Sequence, residues 1–311
     1  MANIIEAIKS ILYMMVQMST PYLLCVIGGV YAQRAGVFNM ALDGIMNFGA
    51  FAGILFTVIT TNVLFGSAMG IVMSVVIIIV FAFFTIKLKA NAIIVGIAIN
   101  FLTSALPRFI MESVYSSRQT LLATQYIDTK AMRLDVPILR SIPIIRDIFN
   151  NQTLLTYATL FIVIILTVVL YRTKFGIYVR VTGENVEAAK AIGIKTDLIK
   201  LLALIISGVA CGLAGLNLSV ESVGMYNADM SASRGFVCLS AIVCGRREPI
   251  RSSLFAILFG FAKAVQVYLA SQVDPVVASL IGLIPYVTIL IVLFITEAPK
   301  IKKNPMKIFS N

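Results

Sequence analysis

An all-α, polytopic membrane protein is the fold class this sequence predicts. Of its residues 59% are hydrophobic and only 13% charged, and the mean hydropathy of +0.98 lies far outside the soluble range. The spacing agrees. A hydrocarbon core of roughly 30 Å takes about 20 apolar helical residues, and runs of that length recur through the 311 residues with polar breaks between them.

About nine transmembrane or partly spanning segments follow, near 11–31, 37–59, 63–86, 91–111, 153–171, 200–220, 233–245, 250–271 and 275–296. The first is preceded by Glu6 and Lys9 and closed by no small-residue cleavage site, so it reads as a retained span. The second carries Asn39, Asp43 and Asn47, too polar to face lipid and suited to a helix wrapped by others. Spaced i, i+4, i+8, they predict a polar stripe about 12 Å long on one helix face. The stripe lines a solute path or bonds an adjoining broken helix; as an interhelical clamp it would be purely structural. Asn100 is a candidate partner, as are Lys263 and Gln266.

The pairs Gly49/Gly53, Gly66/Gly70 and Gly208/Gly212 let helix backbones approach closely, as bundle packing requires. Segment 233–245 reaches only about 20 Å as helix, so it must be broken, re-enter or lean on its neighbours. Arg234 either neutralises Asp229 or stands at the start of that broken segment.

Loop charge sets the orientation. Residues 172–200 hold six basic and three acidic residues, 246–251 three and one, and 297–311 four and one. Positive excess belongs in the cytoplasm. Parity then puts the 112–152 connection, with Pro137 and Pro143, outside together with the N-terminus. Its Asn151-Gln152-Thr153 triplet fits a glycosylation pattern that this setting gives no reason to use. The net charge of +11 is scattered over short breaks and the C-terminal tail, which predicts orientation in a bilayer and no nucleic-acid partner.

Chemistry is sparse. Cys25, Cys211, Cys238 and Cys244 lie in apolar segments without metal or redox spacing, and histidine is absent, so neither disulfides nor a bound metal is expected. No Gly-x-x-x-x-Gly-Lys-Ser/Thr phosphate loop occurs, so the chain is not its own ATPase. No nucleophile has a base beside it, and the expectation is a non-enzyme with no catalytic residues and no cofactor of its own.

Within the polar insert 172–200, Thr182 to Ile194 reads as a short capped helix. Asn185 caps its start, Glu184 and Glu187 lie near its positive end, and Gly193 suits a left-handed termination. Ala188 and Ala189 keep its surface flat enough to dock in a partner's groove.

Gly183-Glu-Asn-Val-Glu-Ala-Ala-Lys-Ala-Ile-Gly193 resembles the cytoplasmic coupling segment of ATP-binding cassette (ABC) importer permeases of the branched-chain amino acid, simple-sugar and nucleoside group, Gly-x-Asn-x-x-Ala-Ala-x-x-x-Gly-Ile. Gly36-Val-Phe-Asn-Met-Ala-Leu-Asp-Gly-Ile-Met46 resembles the Gly-Ile-Phe-Asn-Ile-Gly-x-Glu-Gly-x-Met block of the nucleoside-type members, with Asp43 in place of the usual Glu. Met230 to Phe236, leading to Gly245 and Pro249, is similar to the entry of the group's short helix; Arg246 and Arg247 depart from the neutral residues usual there.

The resemblance implies a single transmembrane permease domain over 1–311, closest to the smaller nucleoside-type subunit, in a bacterial inner membrane. It implies a separate ATPase that uses ATP and Mg, a second similar permease in a heterodimer, and an extracytoplasmic substrate-binding lipoprotein. Coupling then falls to Gly183, Glu184, Asn185, Glu187, Ala188, Ala189 and Gly193, and a translocation path or structural stripe to Asn39, Asp43, Asn47, Asn100 and Arg234. A branched-chain amino acid or ribose permease, an ion-coupled secondary transporter using Asp43, and a non-transporting anchor remain open.

Overall fold

The computed structural model describes residues 2–117, 119–129, 132–135 and 143–303. Pro137 and residues 304–311 of the basic tail lie outside the described residues. Among these, eight helices are long and apolar enough to cross a membrane, from Glu6–Arg34 to Pro275–Thr296, with Arg234–Cys244 as a shorter apolar helix.

The first helix, α1 (Ala2–Arg34), is followed by α2 (Leu42–Thr60), α3 (Val63–Ala82) and α4 (Ala92–Tyr115). Asn62 and Asn91 start α3 and α4 by accepting backbone N–H bonds on their side chains, the usual way of satisfying orphan donors at a helix start. The connection to the next span is not a plain loop. It holds β1 (Thr120–Leu122), β2 (Arg133–Leu134), the short α5 (Pro143–Phe149) and β3 (Gln152–Thr153) before α6 (Leu154–Arg172). Gln152 and Thr153 are buried in the β2–β3 pair, an unfavourable setting for a modified asparagine beside them.

The polar insert forms two helices where one was expected, α7 (Lys174–Glu184) and α8 (Val186–Ala191). Next come α9 (Thr196–Leu216), continued by a π-helical turn at Asn217–Glu221, then β4 (Met225–Asn227), α10 (Arg234–Cys244) and α11 (Pro249–Ala270). The last predicted span, counted above as the single stretch Pro275–Thr296, is two consecutive helices, α12 (Pro275–Ile281) and α13 (Ile284–Lys303).

Packing is tightest where α1, α2, α3 and α9 meet. A Cβ on Gly49 would stand 3.0 Å from the Gly212 Cα, so α2 and α9 touch backbone to backbone there, as the small-residue spacing predicts. By contrast α6 and α12–α13 keep long apolar side chains such as Phe161 and Phe294 exposed, as lipid-facing helices do.

Contacts define the two ends of the bundle. At one, the Arg34 Nε donates to the Arg247 carbonyl at 2.7 Å, and Gly36 packs on Gly183. This basic end gathers the insert and the 246–251 turn. At the opposite end Lys9 pairs with Asp147 at 2.7 Å and the Tyr13 hydroxyl donates to the Asn151 carbonyl, so the N-terminal helix starts beside the 112–152 connection, as parity requires. The bonds from Lys9 and Arg146 hold the Asp147 carboxyl below the usual range. This partly exposed pair contributes little to stability, so Asp147→Asn is expected to leave membrane abundance unchanged on an immunoblot.

Candidate functional site

At the basic end α8 stands out. The Asn185 Oδ1 accepts the N–H groups of Glu187 and Ala188 at 3.0 Å each, and the chain turns out of the helix at Gly193 with φ +82°. Both are the caps expected. Ala188, Glu187, Lys190 and Gly193 are exposed, and Ile192 is 71% exposed, whereas Ala189 is wholly buried against the bundle. The outward face is therefore Ala188 and Ile192, not both alanines.

Two further assignments change. Glu184 is the last residue of α7, at the negative end of that helix and not at the positive end of α8. Gly183 lies in α7 against the end of α1, where a side chain would overlap the Arg34 carbonyl. It acts as a joint, because Gly36, with φ +82°, sits on the other side of this contact and leads directly into α2. Gly183→Val is expected to push α7 off the end of α1 and to lower the amount of folded protein in the membrane on an immunoblot.

Deeper in the bundle, the predicted stripe resolves differently. Asn39 precedes α2; its Oδ1 accepts from the Ala41 N–H and its Nδ2 donates to the Ser207 hydroxyl on α9 at 3.2 Å. Asp43, the second residue of α2, turns to α10: Oδ1 accepts from the Gly235 N–H at 2.8 Å and Oδ2 from the Ser231 hydroxyl at 3.0 Å. Asn47 donates to the Thr103 carbonyl on α4 and accepts from the Tyr226 hydroxyl of β4. The three residues thus bond four neighbouring elements, none of them α11 where Lys263 and Gln266 lie. Asn100 does join them through backbone, accepting from the Gly44 N–H and donating to the Met40 carbonyl.

This arrangement explains the short seventh segment. Asn100 lies about 12 Å along α4 from its basic-end start, and the α2 block bonded to it carries Asp43, so the first turn of α10 begins inside the bundle. From there its 11 residues run to the basic end, where Arg247 meets Arg34. Between β4 and α10, residues 228–233 are irregular backbone, with Ser231 buried and Ala232 and Ser233 exposed, a setting tolerated at depth where the backbone lines a water-filled cavity. Arg234 is the first residue of α10 and donates through Nη1 to the carbonyls of Met230 and Ser231, stiffening the break.

A chain of close contacts therefore links an exposed short helix to a broken membrane helix: α8 to α7, Gly183 to Gly36, and Asp43 to α10. The model of the family described as "Branched-chain amino acid transport system / permease component" matches residues 10–293. The chain belongs to that family. It is 30% identical over 305 residues to the nucleoside ABC transporter permease protein NupC of Lactococcus lactis subsp. cremoris (strain MG1363), covering 94% of this chain and 93% of the relative. To the guanosine ABC transporter permease protein NupQ of Bacillus subtilis (strain 168) it is 28% identical, covering 85% and 84%. In fold it is similar to a chain of a metal-chelate type ABC transporter in an inward-facing conformation, with a TM-score of 0.50, 15% identity, and coverage of 91% and 84%.

This permease is the membrane-spanning subunit of an ATP-driven ABC importer; it is not an enzyme, and ATP hydrolysis belongs to a separate ATPase. Two polar contacts of the permease went unread in its sequence. Arg108 on α4 pairs with Asp229 in the break before α10, the role considered for Arg234. Glu221 is buried at the end of the π-turn, its Oε1 accepting from the Leu155 N–H at the start of α6 and its Oε2 from the Asn217 Nδ2. The signal in both cases was an ionisable residue within or bordering an apolar run.

Proposed function

We propose that this permease imports nucleosides across a bacterial inner membrane, with its basic end in the cytoplasm and α8 seated in a groove of the ATPase. The observation that carries this reading is the capped, outward-facing α8 joined through Gly183 and Gly36 to the helix that holds α10. Support for nucleosides comes from the likeness to two nucleoside-type permeases over most of the chain. The excess of basic charge at the α8 end favours the cytoplasmic orientation.

Two permease chains are needed to present two such helices to an ATPase pair. A second, similar permease completes a heterodimer, and a substrate-binding lipoprotein delivers solute to the opposite end. ATP and Mg are used on the ATPase, and closure of that pair tilts the α7–α8 unit. Through Gly36 and Asp43 the tilt reaches α10 and switches the opening of the path.

Uptake by cells carrying the complete transporter tests the solute class. Labelled uridine and guanosine are expected to accumulate, in competition with each other and not with leucine or ribose. Accumulation of leucine or ribose in place of nucleosides would overturn the assignment.

A further inference from the structure

Between α1, α6, the π-turn and the entry to α10 lies a cavity of ≈ 250 Å³. It is smaller than the roughly 300–1,000 Å³ of pockets that take drug-sized ligands, so it suits one small solute. Its wall mixes hydrogen-bonding side chains, among them Gln17, Thr156, Asn217 and Ser222, with the apolar Met18 and Leu218. Two guanidinium groups reach it: Arg133, exposed and already bonded to the Tyr13 hydroxyl, and Arg234, half-buried at the first turn of α10.

Three features make this more than a packing gap. Arg234 is half-buried on the wall and spends Nη1 on two backbone carbonyls, which fixes its cation beside the cavity. The wall contains a π-helical turn, whose unravelled hydrogen bonding often marks a ligand site, held here by Asn217 and Glu221. Among the described residues no carboxylate lines the cavity, so these offer no counter-ion for an ammonium group.

We infer that this cavity is a solute-binding pocket of the permease, taking an uncharged, hydroxyl-rich solute with a carbonyl acceptor for the Arg234 guanidinium. Gln17, Asn217 and Ser222 spend side-chain donors within the chain and keep acceptor oxygens, which matches the hydroxyl donors of a sugar, and the apolar side chains cover the flat face of a ring. The pocket deepens the nucleoside reading and rests on it for its ligand. Because Arg234 opens α10, and Asp43 grips the next residue, Gly235, occupancy of the pocket bears directly on the broken helix.

Thiol labelling of the complete transporter in cells tests this. The four native cysteines of this chain are all buried, so labelling is read on the isolated permease band. Ser222→Cys and Met18→Cys each place a thiol on the wall, for an impermeant methanethiosulfonate reagent added from outside. Both are expected to label, and saturating uridine to slow labelling at least fivefold, while leucine and uridine monophosphate do not. Arg234→Gln in either background is expected to remove the protection, and Arg234→Lys, which keeps the charge but not the planar fork, to weaken it.

Absence of labelling at both positions, or identical rates with and without uridine while uridine uptake proceeds, would overturn the pocket and leave the permease function standing. Protection by leucine or the nucleotide instead of uridine would overturn the ligand class. Full protection retained by Arg234→Gln would overturn the role of Arg234.

Discussion

Gly235→Ala is expected to abolish solute uptake. A Cβ at this position would overlap the backbone of Asp43, and backbone at a helix start cannot rotate away as a side chain can. Overpacking of this kind costs about 1–3 kcal/mol, here at the contact that positions α10. The companion variant Asp43→Ala removes the acceptor of the Gly235 N–H and of the Ser231 hydroxyl. Each donor left unsatisfied costs about 1–3 kcal/mol, and the positive end of α10 loses its carboxylate as well. Asp43→Asn keeps one oxygen for Gly235 and falls between. Uridine uptake, normalised to permease in the membrane by immunoblot, should drop at least tenfold for Gly235→Ala and Asp43→Ala and severalfold for Asp43→Asn. Wild-type uptake in all three would mean that the α2–α10 contact has no part in transport.

The second large effect is expected at the docking face. Ile192 is 71% exposed and Ala188 exposed, so Ile192→Asp and Ala188→Glu disturb no packing within the chain and, as surface changes, shift its stability by only about 0.5 kcal/mol. Against the ATPase they bury an unpaired charge in a docking groove, which is strongly unfavourable. Uptake is expected to fall more than tenfold at unchanged abundance, and the ATPase subunit to co-purify poorly. Ala189→Leu separates the two kinds of damage: Ala189 is buried against the bundle, so its enlargement should lower abundance first. Normal uptake and co-purification by Ile192→Asp and Ala188→Glu would place the ATPase contact elsewhere.

These residues also show what a sequence discloses. The Asn185 and Gly193 caps were legible because capping is local: a side chain satisfies N–H groups two and three residues on, and glycine tolerates positive φ. The spans were legible because lipid demands length and apolarity. Asp43 and Asn47 stay four apart in α2, and Asp43 bonds the broken segment as one reading of the stripe had it, but Asn39 leaves the stripe for a physical reason. Periodicity places Asn39, Asp43 and Asn47 on one face only if the helix already exists at residue 39, but Gly36 turns the chain and Asn39 bonds the Ala41 N–H, delaying the helix to Leu42. The partners Ser207, Gly235 and Thr103 lie 56 or more positions away in the chain, and no local pattern could name them. Glu184 misled because the boundary between two short helices falls at Asn185, where a sequence shows one polar stretch.

Solute accumulation by reconstituted vesicles bears most directly on the claim that a separate ATPase drives this bundle through α8. Vesicles holding the permease with its partner permease and binding protein should accumulate uridine against a gradient only when the ATPase subunits, ATP and Mg are supplied on the α8 side. Uphill accumulation without the ATPase would contradict the account.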